Sequence, residues 1–122
     1  MIQAGTVVRV TDNSGARVAK VFKVLGGSRR RYASLGDIVV ASVKVAEPRK
    51  QLKKKDIVKC VIVRQKKECR RLDGSYIRFD DNAVVVVDAK KDPIAARVFG
   101  PIAREVQERG FQQIVSRAKE VL

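Results

Sequence analysis

Arg29, Arg30 and Arg31 stand side by side, after Gly26 and Gly27 and before Tyr32. A guanidinium is a planar fork that can meet two oxygens of one phosphate. Three adjacent cations repel one another, so the stretch GGSRRRY predicts an external polyanion that neutralises them. The glycines let a backbone approach a partner closely. Tyr32 either stacks on a base or anchors the loop in the core. No Gly-Lys-Ser/Thr follows at the spacing of a triphosphate-binding loop. The competing reading is a solvated basic loop, and the free energy of counterion release favours phosphate contact over it.

A second basic cluster runs from Arg49 to Arg71, with 11 basic and 2 acidic residues. It contains Arg49, Lys50, Lys53, Lys54, Lys55, Arg64, Lys66, Lys67, Arg70 and Arg71, and Arg78 follows shortly after. A ribbon carrying these cations beside a compact body can track the backbone of an RNA. The competing reading is a hairpin kept soluble by its charge.

Other chemistry finds little footing. The chain has no histidine, the commonest general base. Asp80 and Asp81 are adjacent in a turn composition and read as backbone caps. Ser14, in DNSG, has no visible base partner. Cys60 and Cys69 form no CxxC, so neither a zinc site nor a disulfide is expected. Cys60, in VKCVIV, reads as a small core hydrophobe. Unpaired cysteines fit a reducing compartment. Catalysis, metals and cofactors are therefore not expected.

The cations must be held by a folded body. The 122 residues fit one domain, and 45% of them are apolar, mostly Val, Ile, Leu and Ala. The net charge is +14 and the sequence pI about 10.4. The charge is uneven. Residues 1–45 hold 8 basic and 2 acidic groups, 46–75 hold 11 and 4, and 76–122 hold 8 and 7. The first two segments build the basic face, and the last is left for another task. No apolar run approaches the length of a membrane span, and MIQAGTVVRV lacks the character of a signal or transit segment. The protein is expected to act where it is made.

The hydrophobic period is mostly two. Five β-branched runs appear: 6–10, 18–25, 37–45, 56–65, and 75–79 leading to 83–87. Turn chemistry bounds each of them. Asp73-Gly74 predicts a two-residue hairpin turn with positive φ at both positions. In 56–65, Val58, Cys60 and Ile62 share one face, and Lys59, Val61, Val63 and Gln65 the other. Lys20 and Lys23 fall on opposite faces, which predicts either a bulge or a partly solvated interior edge. Val84–Val87 does not alternate, so both of its faces are expected to be covered. Short strands at this spacing predict a closed or nearly closed barrel.

After residue 95 the pattern changes. Pro101 reads as the first residue of a helix and Gly110 as its stop. Phe111, Ile114, Val115 and Ala118 share one face of a second helix. Two short helices are expected to pack on a barrel of roughly 1–95. Arg97, Phe99 and Arg104 are of the types that anchor protein contacts, although Phe99 could equally staple the helix to the barrel.

The motifs DNSGAR, KVLGGS, RRYASLGD, DGSYIRFDDNA, RVFGPIARE and the closing EVL, in order over 1–122, resemble the universal large-subunit ribosomal protein family numbered fourteen, of bacterial or organellar type. The resemblance implies a mainly β fold: a small five-stranded β-barrel with a projecting ribbon and short C-terminal helices. It implies binding to large-subunit ribosomal RNA and bridges to small-subunit RNA. It also implies contacts with the large-subunit proteins numbered three and nineteen, and docking of a ribosomal silencing factor on the C-terminal side. By motif, Arg17 and Arg29 to Tyr32 correspond to RNA contacts, and Arg97, Arg104 and Gln113 to the protein-facing region. The implied location is the ribosome, in a bacterial cytoplasm or an organelle's matrix or stroma.

The chain departs from the family pattern at Ala96, where Thr is usual, and at Gln113, where Lys is common. Lys55 stands where Gly is frequent, which leaves the shape of that turn open. Two other classes compete with the ribosomal reading. A free single-stranded nucleic-acid chaperone needs aromatics for stacking, and the six here fall mostly in strands or on the tail's apolar face. An acidic-membrane binder needs a basic amphipathic helix, which the sequence does not offer.

Overall fold

A computed structural model describes residues 2–26 and 31–122. The β-branched runs become strands: β1 (Val7–Val10), β2 (Ala16–Val24), β3 (Ile38–Ala46), β4 (Ile57–Arg64), β5 (Cys69–Arg70), β6 (Tyr76–Ile77) and β7 (Ala83–Val87). Five of them close a barrel in the order β1-β2-β3-β4-β7. Neighbours are antiparallel except β1 and β7, which meet in parallel. Closure leaves the barrel without a free strand edge. β5 and β6 form a separate two-stranded ribbon.

Alternation along the strands sorts side chains between two cores. Val8, Val21, Val39, Cys60, Ile62, Val84 and Val86 fill the barrel. The opposite faces of β4 and β7 supply Val61, Val63, Val85 and Val87 to a second core outside it. Each of these fully buried aliphatic side chains contributes roughly 1.5–3 kcal/mol. The second core explains why β7 lacks a period of two: the tail covers its outer face. In β2 the register skips Phe22, between the Val21–Ala41 and Lys23–Val40 pairs. This bulge turns both Lys20 and Lys23 to solvent.

The tail forms α1 (Glu105–Glu108) and α2 (Gln112–Arg117). Ile102, Val106, Phe111 and Ile114 close the second core. Pro101 does not begin a helix. Ile102 is bridged to Val121, and its carbonyl, which a helix from Pro101 would offer to Val106 N–H, accepts instead from Leu122 N–H, while Ala103 N–H meets the Val63 carbonyl. The helix starts only after these cross-links and ends ahead of Gly110, at φ 93°. The hairpin turn also differs from expectation. Gly74 alone takes a positive φ, 88°, and Asp73 does not. The loop is wider than two residues. Arg71 N–H reaches the Ser75 carbonyl at 2.8 Å, and Gly74 N–H the Arg71 carbonyl at 3.0 Å. Asp73 instead accepts hydrogen bonds from the Ser75 amide and hydroxyl.

One buried carboxylate joins the corner after β1 to the closing strand. Asp12 accepts from the Ser14 amide and hydroxyl and, at 3.0 Å, from the Val86 amide of β7. Burial pushes its pKa up, against the pull of these hydrogen bonds. The folded chain thus holds this proton more tightly than the unfolded chain. The corresponding stability is present at acid pH and lost as pH rises through the folded pKa. Asp12→Asn must turn an amide donor toward another N–H. We expect a loss of about 1–3 kcal/mol at neutral pH. The wild-type advantage should widen as pH is lowered toward the ordinary carboxylate range. Thermal melts of both proteins across pH test this, and an advantage that shrinks on acidification would remove Asp12 as the titrating group.

Candidate nucleic-acid interface

The β3–β4 connection carries the densest exposed charge. Arg49, Lys50, Lys53, Lys54 and Lys55 are all solvent-exposed. Leu52 between them is buried and holds the loop down. Backbone bonds fix both ends. Glu47 N–H meets the Gly15 carbonyl at 2.7 Å, Leu52 N–H the Ser14 carbonyl at 3.2 Å, and Lys55 N–H the Val43 carbonyl at 2.8 Å. Asp56 takes the Lys53 amide at 2.9 Å, so this nearby carboxylate caps the turn. No ion pair ties Lys50, Lys53, Lys54 or Lys55 to a carboxylate among the described residues. The turn left open at Lys55 is resolved: Lys55 itself adopts φ 77°.

The remaining predicted cations divide by environment. Arg31, Tyr32, Lys66, Lys67, Arg70 and Arg78 are exposed. Lys67 pairs with Glu68 at 3.7 Å. The backbone at Lys66 is pinned by the Asn82 side chain, and that at Lys67 by the side chain of buried Gln65. Arg29 and Arg30 lie outside the described residues. Arg64 and Arg71 turn inward. The Arg64 side chain is 12% exposed, with Nε 3.4 Å from Asp81, and its guanidinium lies against Gly100. A Cβ on Gly100 would fall 2.5 Å from Arg64 Nη1, and Gly100 also holds φ 78°, so glycine is required there. Burial lowers the Arg64 pKa, and neighbouring Asp81 opposes the shift. Arg71 meets Glu105 at 2.9 Å, with both side chains under one-fifth exposed.

The Arg71–Glu105 pair shapes the ribbon. Cys69, Ile77 and Phe79 pack against the barrel core, and Arg71 ties the loop to α1. Leu72 at the tip stays fully exposed. The ribbon is therefore held at its base and open at its tip.

A cleft of about 580 Å³ collects Arg9, Arg17, Arg64, Glu47, Phe99 and Gly100, among others. It brings Arg17 and Arg64, which the sequence assigned to RNA, beside Phe99, which it assigned to protein. Arg17 is held by Glu47 at 2.8 Å and Arg9 by Asp81 at 3.7 Å, and both cations remain more than half exposed. Phe99 is 53% exposed, with its amide 2.6 Å from the Thr11 carbonyl. It therefore does not act as the buried staple of the tail. Arg97, Arg104 and Gln113 are exposed along the tail. Arg104 borders a smaller cavity with Arg70, Leu72 and Asp73 of the ribbon.

Sequence reasoning missed the cations on the outside of the barrel. Arg9, Lys20, Lys23, Lys44 and Lys59 are exposed on β1 to β4. Strand parity could have found Arg9 and Lys59, which alternate with buried Val8, Val10 and Cys60. Lys20 and Lys23 needed the bulge. Cys60 is buried, and burial followed by nearby Asp12 pushes its thiol up to about 12, so it behaves as an apolar core residue. No helix among the described residues is long and apolar enough to cross a membrane.

Removing one partner of the Arg71–Glu105 pair strands a poorly hydrated charge. Glu105→Ala should destabilise the chain by about 3 kcal/mol. It should also speed amide exchange across residues 69–77 ahead of the barrel strands. The double change Arg71→Met with Glu105→Leu should recover most of the stability. Exchange measured by NMR decides this. Equal protection of the ribbon in wild type and Glu105→Ala would show that the pair does not hold it.

The closed barrel, the tail on its outer face and the exposed basic loops agree with what a comparison of the whole chain finds. The family model described as ribosomal protein L14p/L23e matches residues 1–122. The chain belongs to this ribosomal protein family, structural constituents of the large subunit that bind ribosomal RNA.

Proposed function

We propose that the chain holds large-subunit ribosomal RNA by phosphate contacts from three places. These are the β3–β4 loop, the arginine stretch 29–31 with Tyr32, and the exposed cations Lys66, Lys67, Arg70 and Arg78 beside the ribbon. Arg17 adds a guanidinium already oriented by Glu47. Arg64 and Arg71 serve by fixing the cleft and the ribbon, since their side chains are engaged within the protein. The carrying observation is the β3–β4 loop: five exposed cations on a backbone clamped at both ends, with no carboxylate paired to its four lysines among the described residues. A clamped backbone loses little conformational freedom when a phosphate surface arrives.

The tail, nearly neutral in sequence, takes the protein-facing part of this reading. Its exposed Arg97, Phe99, Arg104 and Gln113 would face the large-subunit proteins numbered three and nineteen, or a silencing factor. Ala96 and Gln113, which depart from the family pattern, would weaken the last of these contacts. A bridge to small-subunit RNA would use the same exposed side. The exposure of these residues and the family membership support this part.

Changing Lys50, Lys53 and Lys54 to Ala should leave the melting temperature nearly unchanged and weaken RNA binding. The slope of log affinity against log salt should fall by roughly 0.7–0.9 for each lost contact. A filter-binding titration on deproteinised large-subunit ribosomal RNA measures it. An unchanged slope would take this loop out of the RNA surface.

A further inference from the structure

Three described residues other than glycine hold a left-handed backbone: Arg49 at φ 63°, Lys55 at φ 77° and Lys91 at φ 68°. L side chains resist this region, and the residues that accept it most readily are Gly, Asn and Asp. Here no described Asn or Asp adopts it, and all three occupants are cations. Basic residues fill 27 of 122 positions, so three of three is not what random occupancy gives. All three are exposed, and no ion pair joins them to a described carboxylate. Packing and internal charge pairing therefore supply no reason to keep a cation at these places.

One turn appears twice, with different occupants. In the ribbon, Arg71 N–H bonds the Ser75 carbonyl, Gly74 N–H bonds the Arg71 carbonyl, and Gly74 takes the left-handed position. After β7, Asp88 N–H bonds the Asp92 carbonyl, Lys91 N–H bonds the Asp88 carbonyl, and Lys91 takes that position. The chain uses glycine in the first and lysine in the second. At Lys55 the turn is closed by Asp56 N–H on the Lys53 carbonyl, and Lys55 sits third of four, where a positive φ belongs to Gly or Asn. The clamps already described hold Arg49 and Lys55, and the Asp88 carboxylate holds the Lys91 turn by accepting from the Lys90 and Asp92 amides. The surroundings thus over-determine each conformation, which is how such backbones persist.

We propose that Arg49, Lys55 and Lys91 are RNA phosphate contacts, each kept in a backbone conformation that glycine would suit better. Folding stability is given up at these three points for a fixed positive charge. Lys91, which the sequence did not single out, extends the RNA surface to the loop after β7. It lines a cavity of about 330 Å³ with Leu25 and Gly26, the root of the arginine loop, and with Arg109, which is engaged by Asp37. The proposal rests on the reading that the basic surface binds ribosomal RNA, and names contacts which that reading did not contain or single out.

The test uses the full chain with Arg49→Gly, Lys55→Gly and Lys91→Gly, singly and combined. Each should raise the melting temperature of the free protein, by about 2–5 °C. Each should also lower the log affinity–log salt slope on deproteinised large-subunit ribosomal RNA by roughly 0.7–0.9. Lys54→Gly, at an ordinary φ, is the matched control. It should lower the slope similarly but lower the melting temperature, because glycine only adds unfolded-state freedom there. Stabilised variants with unchanged RNA slopes would overturn the proposal, and so would variants that are no more stable than wild type. The Lys50/Lys53/Lys54 alanine variant separates the two levels. If it loses slope while the glycine variants keep theirs, this proposal alone fails. If it keeps its slope too, the reading of the loop as an RNA surface fails with it.

Discussion

The barrel depends on the short parallel seam between β1 and β7. Its register has two Cα pairs, Arg9 with Ala83 and Val10 with Val84. Parallel pairing is slightly weaker per residue than antiparallel pairing, and this pair joins segments more than seventy residues apart. Additional bonds extend it at both ends. Arg9 N–H meets the Asn82 carbonyl, Thr11 N–H the Val84 carbonyl, and the Asp12 carboxylate the Val86 amide. The DNSG corner therefore does more than turn the chain. It carries a side chain that continues the ladder where the backbone has begun to leave it. With the seam open, two Val-rich edges would face solvent, an arrangement prone to pairing with other chains.

Closure also decides where charge can go. β7 and residues 60–63 of β4 are covered on both faces, and the tail takes their outer surface. The cations are left the outer faces of β1 to β3, the exposed start of β4 at Lys59, the β3–β4 loop, the ribbon and the loop after β7. Many acidic groups have local tasks: Asp12 at the seam, Asp56 and Asp88 in turns, Glu47 and Asp81 beside arginines, Glu105 at the ribbon. Carboxylates used in this way do not neutralise the loop lysines. The net charge of +14 is thus concentrated where the fold has no use for it.

Much of this was legible in the residues, for a physical reason. A period of two survives any register, so the strands, the shared face of Cys60 and Ile62, and the double burial of β7 could be read directly. The bulge at Phe22 was signalled by two lysines that a regular strand would place on opposite faces. Local rules failed where distant hydrogen bonds took over. Pro101 has the chemistry of a helix start, but Ile102 is drawn into a bridge with Val121 and gives its carbonyl to Leu122 N–H, not to a helical turn. Asp73-Gly74 has the composition of a tight turn, but the Arg71–Ser75 pairing widened it. Among the candidate contacts, Arg64 and Arg71 look in sequence like their basic neighbours. Their inward position depends on Asp81 and Glu105, which lie 17 and 34 residues away. No window around either arginine contains that information.

Arginine and lysine are used differently in the described part of the chain. Arg9, Arg17, Arg64, Arg71 and Arg109 each meet a carboxylate, whereas Lys67 is the one described lysine in an ion pair. A planar fork is oriented by one carboxylate and still has donors to offer, while an ammonium is a point charge that needs no orientation. The arginines can therefore be set by the protein before RNA arrives, and the lysines can be set by the backbone beneath them. That second requirement falls on loop geometry, since a lysine side chain carries more rotamer freedom than a clamped turn. On the proposed reading a fixed turn would place the charge, and the ammonium would adjust over the last few ångströms to the nearest phosphate oxygen. The same division explains why the β3–β4 loop needs so many backbone bonds and so few side-chain ones. Its side chains stay exposed while the Gly15, Ser14 and Val43 carbonyls and the Asp56 carboxylate hold its backbone.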